Sequence, residues 1–277
     1  MVSRPLSTGA AEYSGCMCGR YVQARAAGDL VEDLGAELEP GAPVRPSWNV
    51  GPWQQANQQP FMVEVLTEDG ELQKRLRTGM FGVMKPWHSS VQEARRWATF
   101  NAKKETLLER STWRRPLVAH RCAVPATAYY EWKKYEGGSK TTHAIRPADD
   151  GGILFAGFYE SWRSPADDAW MWTFAILTGP SPVAGNNPAH DDLAWVHHRI
   201  PLALDQTTLE KWITSEELEP ADATALVEEV RERSVEVAKG WEVYQVGREA
   251  GNWRNDYPEL LSPVTADGAD EAALQLF

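Results

Sequence analysis

The segment Met17-Cys18-Gly19-Arg20-Tyr21 places a cysteine directly after a methionine. In a polypeptide that starts at Met17, removal of that methionine leaves Cys18 with a free thiol and a free α-amine on adjacent carbons. Such a 1,2-aminothiol condenses with an aldehyde in two steps. The amine forms a Schiff base, and the thiol then adds to the imine carbon and closes a five-membered thiazolidine. An α-amine titrates at roughly 7.7–8.0, so a neutral, nucleophilic fraction exists near neutral pH. Without the free amine, Cys18 is an ordinary small cysteine near the start of a strand.

Three further segments carry groups able to assist such chemistry. Asn101-Ala102-Lys103-Lys104-Glu105-Thr106 reads as a charged helix start capped by Asn101. Cys122-Ala123-Val124-Pro125 leads to Tyr129-Tyr130-Glu131-Trp132, where Glu131 sits inside an apolar, aromatic run. Desolvation of a carboxylate there favours its protonated form and suits it to proton transfer. Trp195-Val196-His197-His198-Arg199-Ile200-Pro201 carries two adjacent histidines, which on a strand point to opposite faces.

The elements that must position these groups follow from hydrophobic periodicity. Leu30, Val31, Leu34 and Leu38 recur at helical spacing behind Asp29, which predicts a helix over 29–38. Residues 39–60, rich in Pro, Gly, Gln and Asn, read as an ordered loop. Strands are predicted over 61–66, 72–83, 122–124, 129–134, 153–162, 171–178, 195–204 and 241–246. Helices are predicted over 101–113, over 205–212 behind an Asp205 cap, and over 221–233. Strands with interspersed helices and no regular βαβ alternation indicate an α+β fold with a mixed, barrel-like sheet. Residues 1–17 read as a disordered leader, 18–265 as one domain, and 266–277 as an acidic flexible tail.

The net charge of −11 argues at first against a polyanionic partner, but its distribution argues otherwise. Between Lys74 and Arg121 twelve Lys/Arg face three acids, whereas residues 205–277 hold 17 acids and six bases. Phosphate binding depends on the local density of cations. No apolar run approaches the roughly 20 residues a bilayer needs, and no secretory signal is present. Three cysteines, Cys16, Cys18 and Cys122, do not make a disulfide framework. These features predict a cytoplasmic, monomeric protein without cofactor or metal. A zinc site from Cys16, Cys18, His197 and His198 is disfavoured, because one-residue spacing between cysteines suits tetrahedral geometry poorly.

In their order and separations, these segments resemble the SRAP (SOS response-associated peptidase) family of abasic-site processing proteins, from Met17 to about Val264. Trp48-Asn49-Val50-Gly51-Pro52 is similar to the family's Tyr-Asn-x-Ala-Pro. Phe81-Gly82-Val83-Met84 with Trp87 is similar to its Trp-Gly-Leu-Ile-Pro-x-Trp. Asn101–Thr106, the Tyr-Glu-Trp run and His197–Pro201 match further family motifs. The resemblance implies binding of single-stranded DNA containing abasic sites in a basic groove, with association with the nucleoid at damage, and a thiazolidine crosslink through Cys18. It implies that Asn101 holds the reacting amine or sugar, that Glu131 opens the sugar and shuttles protons, and that His197 handles protons on the sugar oxygen. It assigns Arg20, Asn49, Pro52, Phe81, Trp87, Lys103 and Arg199 to the DNA path. It also implies self-cleavage before Cys18. The chain departs from the family at Lys103 (usually Arg), Phe81 (usually Trp) and His198 (usually Asp). Two other readings use the same residues: a cysteine amidohydrolase pairing the Cys18 thiol with His197, and a purely non-covalent DNA binder.

Overall fold

The structure, a computed structural model, describes residues 19–185 and 187–264. In chain order the elements are β1 (Arg20–Gln23), α1 (Ala27–Leu34), β2 (Glu37–Leu38), β3 (Ser47–Val50), β4 (Gln59–Leu66), β5 (Leu72–Phe81), α2 (Val91–Ala94), β6 (Asn101–Lys103), α3 (Ser111–Ala119), β7 (Arg121–Ala126) and β8 (Ala128–Lys134). They continue with β9 (Lys140–Pro147), β10 (Ile153–Arg163), β11 (Trp170–Pro180), α4 (Pro188–Val196), β12 (Arg199–Pro201), α5 (Gln206–Ile213), α6 (Pro220–Val237) and β13 (Trp241–Val246).

Strands β11, β10, β7, β4 and β5 form a continuous path, and β5 pairs back onto β11 in parallel through Thr173↔Met80 and Phe174↔Phe81. The path is therefore closed, as the predicted mixed, barrel-like sheet requires. Its interior is filled by fully buried Phe61, Phe81, Phe155 and Phe174, while Met62, the next residue on β4, is buried on the opposite face. The second sheet runs β13-β9-β8-β1-β3 and is antiparallel throughout. The chain changes sheets at Thr127, between β7 and β8, where its amide donates to the Val22 carbonyl. Anything carried on β8 is thus fixed relative to the barrel by a single residue of connection.

Helices α5 and α6 cover the barrel. Asp205 caps α5 by accepting from the Thr208 amide at 2.8 Å, as its sequence position predicts. Trp212, fully buried, donates its indole N–H to the Cys122 carbonyl at 3.0 Å. Arg121, also buried, donates to the carbonyls of Leu117, Val118, Trp212, Thr214 and Glu216, which ties the ends of α3 and α5 to β7. An Arg121→Met substitution keeps the bulk but strands these buried acceptors. A loss of about 3–5 kcal/mol is expected, a large part of the roughly 5–15 kcal/mol holding a domain together. Urea unfolding followed by circular dichroism measures it; a loss below about 1 kcal/mol would contradict the assigned role.

Several local predictions are corrected. The helix predicted over 29–38 is α1, which starts at Ala27, ends at Leu34 and is closed by Gly35; residues 37–38 are extended and pair with β5. Asp29 lies in its first turn, where a negative charge suits the helix dipole. Asn101 opens no helix: residues 101–103 form β6, and the helix begins at Ser111. The strand predicted over 195–204 is split between the end of α4 and the short β12, because Asn187 caps α4 by accepting from the Ala189 amide, with Pro188 in its first turn. The loop predicted over 39–60 contains β3 and the start of β4, and β9 was not predicted. The leader and the acidic tail lie outside the described residues.

Candidate nucleic-acid interface and capture site

Cys18 lies outside the described residues, so the site is built from its neighbours. On the antiparallel β1–β8 ladder Arg20 pairs with Tyr130 and Tyr21 with Tyr129. Extending that register by one position brings Gly19, the first described residue, level with Glu131. Glu131 is only 4% exposed, and its Oε1 accepts from the Trp132 amide at 3.2 Å.

Directly opposite Glu131 on β9 stands His143. Residues so paired bring their Cβ atoms within about 5 Å. Nε2 of His143 shares a hydrogen bond with Thr141 Oγ1 at 2.9 Å, and its ring meets Trp195 edge-on at 5.4 Å. Burial, reinforced by the Lys133 ammonium, holds the His143 imidazole below its usual value, which keeps it neutral at neutral pH. Lys133 donates to the Trp195 carbonyl and lies 4.9 Å over that indole, pinning the end of α4 to β8. His143 was not predicted. A signal for it existed: Gly137-Gly138 marks a hairpin turn, and the hairpin register then places residue 143 opposite 131.

The C-terminal end of α4 delivers His197. Nδ1 of His197 lies 3.2 Å from the Arg199 amide and 3.3 Å from the Arg199 carbonyl, so the ring is fixed through Nδ1 to the backbone of Arg199. Ser181 Oγ donates to the His197 carbonyl at 2.6 Å, and the Ser181 amide to that of His198. The two imidazoles do not diverge as predicted for strand neighbours. They lie 4.3 Å apart at an interplanar angle of 37°, because His197 terminates a helix before the chain extends. His198 is held below its usual value, first by burial and then by His197, Arg199, Lys103 and Lys134, all positive or able to become so. Asn101 arrives on β6, which runs parallel to β11 and pairs Asn101 with Ile176 and Lys103 with Thr178. Thr178 is also the acceptor for the Arg199 guanidinium. Glu131, Asn101 and His197 sit on β8, β6 and the end of α4; α4 is fastened to β8 through Lys133, and β6 and Arg199 both bond to β11, with Lys103 and Lys134 exposed.

Three residues that the resemblance assigned to the DNA path have buried side chains. Phe81 is buried and packs its ring against Tyr21, Phe100 and Phe174 at 5.6–5.7 Å. Asn49 is buried; it accepts from Arg20 and donates to the carbonyls of Ala250, Asn252 and Asn255. Arg199 is buried, ion-paired with Glu105 at 2.8 Å and bonded to Thr178. Arg20 is half-buried and donates to the Ala250 and Gly251 carbonyls; burial pulls its guanidinium down to about 10, still charged at neutral pH. Pro52 is half-buried, Lys103 is exposed, and Trp87 is 62% exposed.

The basic segment is partly neutralised. Lys74, Lys104 and Arg115 pair with Glu210, Glu228 and Glu217 of the acidic C-terminal half, whereas Arg95, Arg96 and Lys103 remain at the surface. Among the described residues no cluster of His, Cys, Asp and Glu could hold a metal ion, and no helix is long and apolar enough to cross a membrane.

The family model described as SOS response associated peptidase (SRAP) matches residues 17–253. Over 246 residues the chain is 28% identical to the "Abasic site processing protein YoqW" of Bacillus subtilis (strain 168), covering 88% of this chain and 99% of that protein. It is 25% identical over 241 residues to the "Abasic site processing protein HMCES" of Gallus gallus, covering 79% of this chain and 67% of the relative. A crystal structure of a protein from Bacteroides thetaiotaomicron superposes with a TM-score of 0.67 at 20% identity, covering 90% of this chain and 100% of that one, a likeness of fold.

Proposed function

This chain belongs to the SRAP family, and from that premise we propose that it processes abasic sites in single-stranded DNA by capturing them as a covalent thiazolidine through Cys18. The observation that carries the reading is the β1–β8 register with Arg20 opposite Tyr130, whose continuation by one position sets Gly19 level with the buried Glu131. Cys18 directly precedes Gly19 in the chain.

In the proposed reaction Glu131 moves a proton between the sugar ring oxygen and the C1′ hydroxyl, opening the ring to the aldehyde. The Cys18 amine attacks C1′, and the carbinolamine loses water to give the imine. The Cys18 sulfur then adds to C1′, its proton passing to the nitrogen. The balance is aldehyde plus aminothiol to thiazolidine plus one water. Asn101 holds the amine or sugar by hydrogen bonding, and the His197 imidazole handles protons on the sugar oxygen. The exposed Lys103 and Lys134 meet flanking phosphates.

The amine exists only when nothing precedes Cys18. Excision of Met17 from a chain started there, or hydrolysis of the Met17–Cys18 peptide bond by the protein itself, meets that need. The test is denaturing electrophoresis after incubation with an abasic single-stranded oligonucleotide, beside mass spectrometry of the N-terminus. A shifted band with abasic DNA, none with undamaged DNA, and a chain beginning at Cys18 are expected. A chain starting at Cys18 that gives no such band overturns the proposal.

Lys103→Glu is expected to weaken non-covalent binding of undamaged single strands about tenfold, and to flatten the salt dependence by about one phosphate contact. Anisotropy titrations at several salt concentrations measure both; an unchanged slope would remove Lys103 from the interface.

A further inference from the structure

Asn49 and Arg20 act together on one segment. Between them they bind the carbonyls of Ala250, Gly251, Asn252 and Asn255, and so clamp this segment onto β1 and β3. What the clamp holds outward is Trp253, 50% exposed, with the Arg254 guanidinium stacked 4.7 Å from the centre of its ring. A Cβ placed on Gly251 would stand 4.0 Å from the Trp132 indole nitrogen, so the segment leaves directly from the neighbour of Glu131.

The far side of Trp253 is anchored as well. Its carbonyl accepts from Gln54 Nε2 at 3.4 Å, and Gln54 Oε1 accepts from the Gly51 amide. The adjacent Trp53 carbonyl accepts from the Arg95 guanidinium at 3.2 Å. Two residues beyond Arg95 stands Trp97, 65% exposed. The turn between these anchors is rigid. Trp53 is buried with a positive φ of 67°, its amide bonded to the Phe81 carbonyl at 2.7 Å, and its ring occupies the space a Cβ on Gly82 would need. Such strain persists only where the surroundings hold it. A row therefore leads from Arg20 through Trp253 and Arg254 to Arg95, Arg96 and Trp97. Of the nearby carboxylates, Asp256 accepts from Ser47, and Glu93 accepts from Ser89 while also feeling the Arg96 guanidinium.

We infer that Trp253 and Trp97, with the arginines beside them, form a base-stacking platform that carries single-stranded DNA away from the capture site. Exposed indoles flanked by guanidinium groups suit unpaired bases joined by phosphates, because every base offers a π-face and every link an anion. This inference rests on the proposed function for its ligand. Stacking on one aromatic is worth about fivefold to a hundredfold in affinity per base.

The experiment measures anisotropy with fluorescein-labelled, undamaged oligothymidylates of about 4 and about 16 nucleotides, lengths that span the known range of single-strand sites. The Trp97→Ala/Trp253→Ala double variant is expected to lose at least tenfold affinity for the long strand and less than threefold for the short one. Trp253→Phe in the Trp97→Ala background should restore part of the loss and Trp253→Leu none, and Trp170→Ala, another exposed tryptophan, should bind as the parent does. Equal affinity of parent and double variant for the long strand overturns the platform. Crosslinking of an abasic oligonucleotide by the parent is scored separately. A parent that crosslinks while the double variant binds normally loses only the platform; a parent that fails to crosslink while the double variant loses long-strand affinity loses only the covalent function.

Discussion

A Cys18→Ala protein is expected to form no denaturation-resistant adduct with abasic single-stranded DNA. Alanine at the processed terminus retains the α-amine, so the imine still forms. It lacks the thiol that closes the ring, and an open imine hydrolyses on heating in denaturant. Reduction with borohydride before denaturation therefore separates the two steps: the Cys18→Ala chain should be trapped by hydride addition to the imine carbon, and the native thiazolidine should persist without reductant. Acetylation of the α-amine with the thiol left free should abolish both adducts, while an amidohydrolase using only the thiol would survive it. Full crosslinking by Cys18→Ala would assign the chemistry to lysine amines and end the thiazolidine reading.

Glu131→Gln is expected to slow adduct formation by about 10²–10⁴-fold, the usual contribution of a positioned acid–base group. Glutamine has nearly the same shape and can keep accepting from the Trp132 amide, but it cannot exchange a proton. Because Glu131 is buried opposite His143, a structural contribution must be separated from a chemical one. Thermal melts of the variant should stay within a few degrees of the parent, and binding of undamaged strands should be unchanged. Single-turnover rates on abasic DNA then report proton transfer alone. A rate within threefold of the parent would make Glu131 a packing residue.

How much of the site was legible depends on what kind of information each residue needs. Glu131 stood out because a carboxylate inside an aromatic run is costly to bury, and that anomaly is local. His143 was missed although only a hairpin turn separates it from Glu131, because its segment was not read as a strand. His197 was found, but with the wrong geometry: Asn187-Pro188 starts a helix that ends on it, and the rings of His197 and His198 meet rather than diverge.

The sequence by itself determined the chemistry on offer. A Met-Cys pair, a carboxylate among aromatics, paired histidines and a basic segment are covalent facts, and an α+β fold with a mixed, barrel-like sheet followed from strands interspersed with helices and no regular βαβ alternation. Tertiary structure alone decided exposure. Asn49, Phe81 and Arg199 look like ligands in a motif, yet packing buries them. Asn49 clamps 250–255, Phe81 fills the barrel, and Arg199 ties β11 to Glu105. Trp253 and Trp97, unremarked among 13 tryptophans, are left at the surface beside arginines. The physical reason is that burial is set by which elements close over a side chain. That depends on strand register and sheet closure across more than a hundred residues, whereas reactivity is carried by the side chain itself.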